Sequence, residues 1–595
     1  MAMPLFFLDC HLAFVYNHVL NTHHPQPLRK FYGIEQVCRI ACATLLIWLL
    51  EATAPASTMR PLSTPDLPYD IWLHIASFLP LSQLKTLYPI NSALLGIALD
   101  ARYRTGFVGP LAHPDTKRAL ARLTDLFVAR RVRTFIFKPG DLCKLLHESK
   151  SEELYECKLV DAFSGMRISQ PSARPHTRIR NHTPNTPLRT SSPSRAHTLQ
   201  HYQPPQAATP LLSASEAHKR VMSIMRSMTG LAELHIEIPC KDHWYFADSE
   251  AADGGVPALF AKGWQAFGKS LRVLELRVPL EDLALVLPAP CSGVVLECLE
   301  RVSLRVVRAS LTANEETVLR STVLPFLQTS RHSLRSLALD VQEHTNLSPF
   351  LSSLALLPTR MRSLSSFSLA QPFVSTDQTD FSGLHGFLLA HSEHLTSLSL
   401  KMNATFTHHA TPEAFFSHKS FALALPVLQH LSIHLAHFPV GYADGMIPYI
   451  HQFAQTLVSL TLQGQFWPDH RVVAFVDSGF GLGSRLRELQ MAVATFSPPL
   501  LSAFAEHLPI LESLDLDFKD ISPPSYIAGF GSPFSVLMSQ LSFPDWRLRK
   551  FNLKPLDATN SVRKLCKAAL VDALPGVLLF CGRNREEYMS TADLI

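Results

Sequence analysis

Apolar positions along the chain fall into one pattern that returns many times. A leucine-like residue, two variable residues, a second apolar residue, one variable residue and a third apolar residue form LxxLxL. Instances begin at Leu231 (LAELHI), Leu271, Leu299, Leu334, Leu364, Leu395, Leu428, Leu457, Leu486, Leu511 and Leu548 (LRKFNL). These eleven units lie 25 to 40 residues apart. A fixed short strand signal with variable filling predicts an irregular α/β solenoid, in which each strand adds to one parallel sheet while the returning segment varies. The returning segments have helical spacing: Ile447, Ile450, Phe453 and Leu457 fall at i, i+3, i+6 and i+10, and Thr322 to Leu334 is similar. A twelfth match, VRTFIF from Val132, stands ahead of a long polar stretch. The array is therefore expected to begin there and to be interrupted by an insertion.

Strand parity fixes which side chains face out. Successive side chains alternate, so the second and third apolar residues of each unit point into a core and the positions before, between and after them face solvent. The expected outward surface carries Glu233, His235, Glu275, Arg277, Arg301 and Arg305 at one end. A small, uncharged middle follows, with Ser336, Ala338, Ser366, Ser368, Ser397 and Ser399. His430, His434, Glu488, Asp515 and Asp517 come after it. A serine-lined centre flanked by mixed charges suits a protein or peptide ligand, and these residues are the candidate target contacts. Ordinary solvated strand positions are the alternative reading. His430 and His434 share a face, but no carboxylate or thiol stands near them in the pattern, so no metal site is expected.

A different period precedes the array. Over Leu67 to Arg104 (LPYDIWLHIASFLPLSQLKTLYPINSALLGIALDARYR), Pro68 suits a helix start and Asp70 complements the positive end of the helix dipole. Ile71, Ile75, Phe78 and Leu79 draw one apolar stripe that stops at Pro80. Ser82 can cap a second short helix carrying Leu84 and Leu87, and Asn91 a third carrying Leu94, Leu95, Ala98 and Leu99. Three helices of this size bury little surface alone, which leaves apolar area for a partner. A helical cap of the solenoid with no such partner is the other reading.

This segment resembles an F-box in its Leu67-Pro68 opening, Asp70, Ile71, Ile75, Phe78 with Leu79-Pro80, and Leu84. Asn-Ser-Ala-Leu-Leu stands where the family's third helix carries Val-Cys and a later Trp. Asp100-Ala-Arg-Tyr-Arg resembles F-box-like proteins of mushroom-forming fungi, and residues 231–556 resemble the leucine-rich repeats of F-box proteins. The family's Asn or Cys, three residues after the third apolar position, occurs here once, at Asn403. The resemblance implies a three-helix motif followed by a solenoid with parallel strands on its concave side and helices outside. It also implies that Leu67, Pro68, Ile71, Ile75, Leu79, Pro80 and Leu84 contact a Skp-family adaptor and, through it, a cullin-RING ubiquitin ligase. The repeats would then hold a target protein.

Composition refines this division. At 595 residues the chain exceeds one compact core. Its net charge of +5 is local, because residues 166–210 hold six arginines (Arg167, Arg174, Arg178, Arg180, Arg189 and Arg195) and no acid, so the remainder is close to neutral. That balance gives no electrostatic support for nucleic-acid binding by the body of the protein. Eight prolines and few aromatics in the same stretch predict disorder. The expected divisions are an N-terminal extension (1–58), the F-box-like motif (62–104), a linker with one repeat-like strand (105–137), an insertion (138–212), the solenoid (213–556) and a C-terminal cap (557–595).

Ten scattered cysteines form no CxxC pair, which fits a reduced, intracellular setting in cytoplasm or nucleus. Ile40 to Leu50 is apolar but only eleven residues long, too short to span a bilayer. It resembles a signal-peptide core, yet almost forty residues precede it, and Met59 offers a later start. No GxSxG, HExxH or Walker motif occurs, and Gly479, Gly481 and Gly483 lack the flanking strand and helix of a dinucleotide loop. Neither catalysis nor a cofactor is expected. A repeat scaffold unrelated to ubiquitin is the alternative function.

Overall fold

A computed structural model describes residues 68–80, 82–84, 92–110, 113–140, 214–239, 256–289, 292–307, 315–341, 346–356, 361–373, 380–404, 416–436, 443–480, 484–522, 533–556 and 564–590. The extension 1–58, Met59, Leu67 and the basic stretch 166–210 lie outside them. The chain divides after Arg102 into two compact units.

The larger unit is an open sheet of fifteen described strands in sequence order. They are β1 (Thr105–Val108), β2 (Thr134–Phe137), β3 (Glu233–Glu237), β4 (Val273–Pro279), β5 (Arg301–Val307), β6 (Ser336–Val341), β7 (Ser366–Phe373) and β8 (Ser397–Ala404). Next come β9 (His430–Ala436), β10 (Ser459–Trp467), β11 (Glu488–Phe496), β12 (Ser513–Ile521), β13 (Lys550–Pro555), β14 (Leu579–Phe580) and β15 (Arg583–Asn584). Every pairing is parallel except β14 with β15. Helices such as Ser382–His391 and Pro498–His507 fill the segments between strands.

All eleven LxxLxL units stand in one register. Their third positions pair in series from Glu233 through Val273, Arg301, Ser336, Ser366, Ser397, His430, Ser459, Glu488 and Ser513 to Lys550. The first and second apolar residues of every unit are at most 2% exposed. Each such leucine contributes about 1.5–3 kcal/mol by leaving water, and they join one core that runs from Val108 to Tyr588.

A backbone device repeats at the strand entries. The carbonyl of Arg133 accepts the N–H groups of both Ala232 and Glu233; Ala232 accepts those of Arg272 and Val273, and the pattern continues to Arg549, which accepts Leu578 and Leu579. A carbonyl has two lone pairs, so one acceptor serves two donors of the next unit. This ladder ties each unit to the next at the strand entry.

Two features differ from the sequence expectation. Residues 105–137, expected as a linker with one strand, hold β1, β2 and two helices between them (Pro114–Leu123, Leu126–Ala129). β1 escapes the pattern because its inward positions are Gly106 and Val108. The sheet also continues beyond residue 556, where Lys550 pairs with Leu579 and the β14–β15 hairpin ends the array. An antiparallel hairpin shortens the last exposed edge. The interruption is as expected: β2 pairs directly with β3, with the insertion between them in sequence.

Two backbone positions show why particular residues are required. Gly464 in β10 has φ 89°, and a Cβ there would lie 2.6 Å from the Leu435 carbonyl oxygen. It sits in the register shift between Leu462 and Trp467. The helical stretch from Glu315 to Thr329 passes through a π turn at Leu319–Val323 just ahead of Pro325. Proline has no N–H to return to Ser321, and the wider turn accommodates its ring.

The smaller unit contains α1 (Tyr69–Ser77), a helical turn at residues 82–84 and most of α2 (Ser92–Tyr103). Its core is Trp72, Ala76, Leu84, Leu94, Ile97 and Ala98. Among the described residues, no helix is long and apolar enough to cross a membrane. Ile40–Leu50 lies outside them.

Candidate interaction surfaces

The sheet turns one face to the helices and the other to solvent, and alternation along each strand decides which side chains stand on the solvent side. In β3, β5 and β6 the buried positions alternate with accessible ones at every residue. The candidate residues Glu233, His235, Glu275, Arg277, Arg301, Arg305, His430, His434, Glu488, Asp515 and Asp517 all occupy the accessible positions. Shared register places them in three rows across the sheet, one for each outward position of the repeat.

At the N-terminal end the charges are paired. His235 Nδ1 lies 2.9 Å from Glu275 Oε2, and Arg277 Nε donates to Glu275 Oε1 at 3.2 Å. Lys138 Nζ lies 2.6 Å from Glu237 Oε2. The hydrogen bond from Lys138 holds the Glu237 carboxyl below the usual carboxylate range, against burial that works the other way; the charges of Lys138, Arg277 and Arg305 add to the lowering. Ile136, Lys138, His235, Glu237, Glu275 and Arg277 line a depression of about 190 Å³ on this face. Ile136 belongs to β2 and Lys138 directly follows it, and this single outward run gave no signal of a site in the sequence. These pairs are half-exposed, so each adds only about 0.2–1 kcal/mol and chiefly fixes the side chains' positions.

The centre of the face is small and uncharged, with Ser336, Ser366 and Ser397 paired side by side in one row and Ala338, Ser368 and Ser399 in the next. Arg305 meets Asp340 at 3.4 Å. His434 Nδ1 lies 3.3 Å from Gln463 Oε1. His430 and His434 stand on one face of β9, but among the described residues no group of three His, Cys, Asp or Glu side chains is placed to hold a metal ion.

Acids collect toward the C-terminal end. Asp515 Oδ2 accepts from Lys554 Nζ at 2.9 Å, which raises the Lys554 ammonium above its ordinary value. Burial pushes the Asp517 carboxyl up, Lys554 opposes the rise, and Asp515 adds to it. Two carboxylates on one strand thus share one lysine. Glu488, on β11, is exposed.

On the opposite, helical side, close packing depends on a polar network. Gly383 N–H donates to Ser348 Oγ at 2.7 Å, and an added Cβ at Gly383 would overlap the Ser348 backbone. Asp380 accepts from the Ser382 amide at 2.7 Å and its hydroxyl at 3.0 Å. Burial opposes ionisation of Asp380, yet these bonds, with Ser348 and His418, hold its carboxyl below the usual range. The network caps the start of the Ser382–His391 helix and joins it to Ser348–Ala355.

In the smaller unit the residues implied by the F-box resemblance separate into groups. Pro68, Ile71 and Pro80 are exposed, while Ile75 and Leu79 are half-buried against the helical core. Leu84 is buried in that core and is not displayed, and Leu67 lies outside the described residues. The stripe expected from Ile71, Ile75, Phe78 and Leu79 is not the packing face of α1. Trp72 and Ala76 are the buried residues, whereas Ile71 and Phe78 are 47% and 59% exposed. With Tyr69, Leu73 and Leu95 they make five large apolar side chains exposed among the described residues of this unit.

Protein-family models and curated protein sequences were both searched, and neither contains a match to the chain.

Proposed function

We propose that this protein is the substrate-recognition subunit of an SCF-type cullin-RING ubiquitin ligase, working inside the cell in cytoplasm or nucleus. Its F-box-like helices would bind a Skp-family adaptor, and its leucine-rich repeats would hold a target protein on the outward sheet face. Transfer of ubiquitin would belong to the partners, and proximity would be this chain's contribution.

The observation that carries the reading is the exposure of large apolar side chains along and just after α1. Among the described residues Ile71, Leu73 and Phe78 are each about half open to water, and large apolar side chains left exposed in this way mark a docking site. The sheet face complements it, being accessible, polar and ordered by the register of eleven strands. Aromatic and aliphatic anchors on one unit and a polar recognition face on the other match the division of labour in an adaptor.

Co-purification tests the proposal. The tagged full-length chain is expected to recover a Skp-family adaptor and a cullin under conditions that recover them with a known F-box protein, and their absence would sink it. Ile71→Glu should abolish recovery with circular dichroism unchanged, because a charge would replace an exposed apolar contact. Ile75 is a poorer probe, since it packs partly against Trp72 and its neighbours.

One observation favours the alternative of a repeat scaffold unrelated to ubiquitin. Leu84, an adaptor contact in the resemblance, is buried within the unit's own core. In that case Ile71→Glu leaves the set of recovered partners unchanged.

A further inference from the structure

We infer that strands β5 to β9 form the part of the outward face that takes an acidic, carboxylate-rich peptide segment of the partner. This rests on the reading of that face as the target-binding surface and gives its ligand a chemical class.

Charge across the five strands is one-sided. Their outward positions carry Arg301 and Arg305 on β5, Lys401 on β8, and His430 and His434 on β9, against a single acid, Asp340, which Arg305 already engages. Arg301 and Lys401 are exposed, and neither side chain has an ion pair or hydrogen bond among the described residues; His430 is likewise exposed and without a partner. Elsewhere on the same face Lys138 is occupied by Glu237, Arg277 by Glu275 and Lys554 by Asp515, while exposed Lys550 on β13 stands beside the acids of β11 and β12. Positive charge without nearby acids is therefore concentrated on β5 to β9.

Its surroundings limit where an acidic segment can lie. Glu233, Glu237 and Glu275 stand on one flank, where Lys138 and Arg277 offset them, and Glu488, Asp515 and Asp517 on the other, where Lys550 and Lys554 do. Neither flank therefore offers a carboxylate-rich chain the net positive charge that the middle does. Between Arg301 and His430, in one row, lie only Ser336, Ser366 and Ser397. Small hydroxyl side chains let a backbone approach closely and can donate hydrogen bonds to carboxylates. Four steps between strands span roughly 19 Å, which an extended peptide covers in about six residues.

The same face gives nucleic acid little to hold. No Phe, Tyr or Trp occupies an outward position on β5 to β9, so bases have no stacking platform, and two free cations fall short of a phosphate-tracking groove.

Fluorescence anisotropy on the purified full-length chain tests this with a short labelled peptide of alternating Glu and Ser, the matching Lys and Ser peptide, and an oligouridine of similar length. The acidic peptide is expected to bind and the other two are not. Arg301→Glu and Lys401→Glu should each weaken binding on the order of tenfold, as should raised salt, while Lys550→Glu on β13 leaves it unchanged. No binding of the acidic peptide, equal or stronger binding of either other probe, or an equal loss in Lys550→Glu would overturn the inference. The outcome is independent of the adaptor: recovery of the adaptor without peptide binding defeats this inference alone, and peptide binding without the adaptor defeats only the ubiquitin reading.

Discussion

The strand array and the helical segment before it solve the same problem on different scales. In the array each LxxLxL strand presents at least two apolar residues to a core shared with its neighbours, so every unit is stabilised by the next. Among its described residues the helical segment has six buried apolar side chains and leaves five large apolar ones exposed. An array can spend its other face on polar recognition because the sheet is secured from behind. The described residues of the helical segment leave apolar surface that they do not cover themselves, and this is the surface the proposed docking would use.

Substitutions can break or sharpen that contrast. The largest effect is expected from Phe387→Ala, which empties a fully buried position packed on Phe367 at 4.6 Å between ring centroids. The array should lose about 3–5 kcal/mol, read as a shifted denaturation midpoint in urea. Next comes Trp72→Ala. It removes the largest member of a six-residue core, so about 3 kcal/mol is expected, confined to the helical segment, where amide protection over Tyr69–Ser77 should vanish while the array's urea midpoint stays put. A joint loss would show that the two do not fold independently.

Gly464→Ala should cost about 1–3 kcal/mol, since it forces a side chain into left-handed backbone against the Leu435 carbonyl. The same denaturation curve measures it.

The smallest effect is on pH. Burial holds the His451 imidazole below its ordinary value against the bond its ring nitrogen makes to the Phe475 carbonyl, and burial, aided by Lys419 and His385, does the same at His418. A depressed folded value favours the neutral ring. The stability is present above the ordinary histidine range and is lost as pH falls through the lower folded value. The array's melting temperature should therefore decline as pH is lowered from neutral through this range, and His451→Gln should flatten the decline. An unchanged slope would remove His451 from the account.

How far the sequence revealed this depends on the kind of period. Two-residue alternation anchored by leucine is unambiguous, because a slip of one residue exposes the whole inner face; all eleven units accordingly fell in register, and their outward residues with them. α1 was harder to read. Tyr69, Ile71, Trp72, Leu73, Ile75, Ala76, Phe78 and Leu79 put apolar groups nearly all round a two-turn helix, so spacing allowed more than one packing face and the neighbouring helix chose Trp72 and Ala76. β1 was missed because Gly106 occupies an inward position where the template has an apolar residue. The Lys138–Glu237 pair joins residues almost a hundred positions apart, on opposite sides of the insertion, and only the β2–β3 pairing brings them together.

Hydrogen exchange of the full-length chain, with and without a purified Skp-family adaptor, tests the central claim most directly. The account expects new protection over Tyr69–Ser77 and none across the strands from Glu233 to Pro555. Unchanged exchange in α1, or protection gained in the array instead, would contradict it.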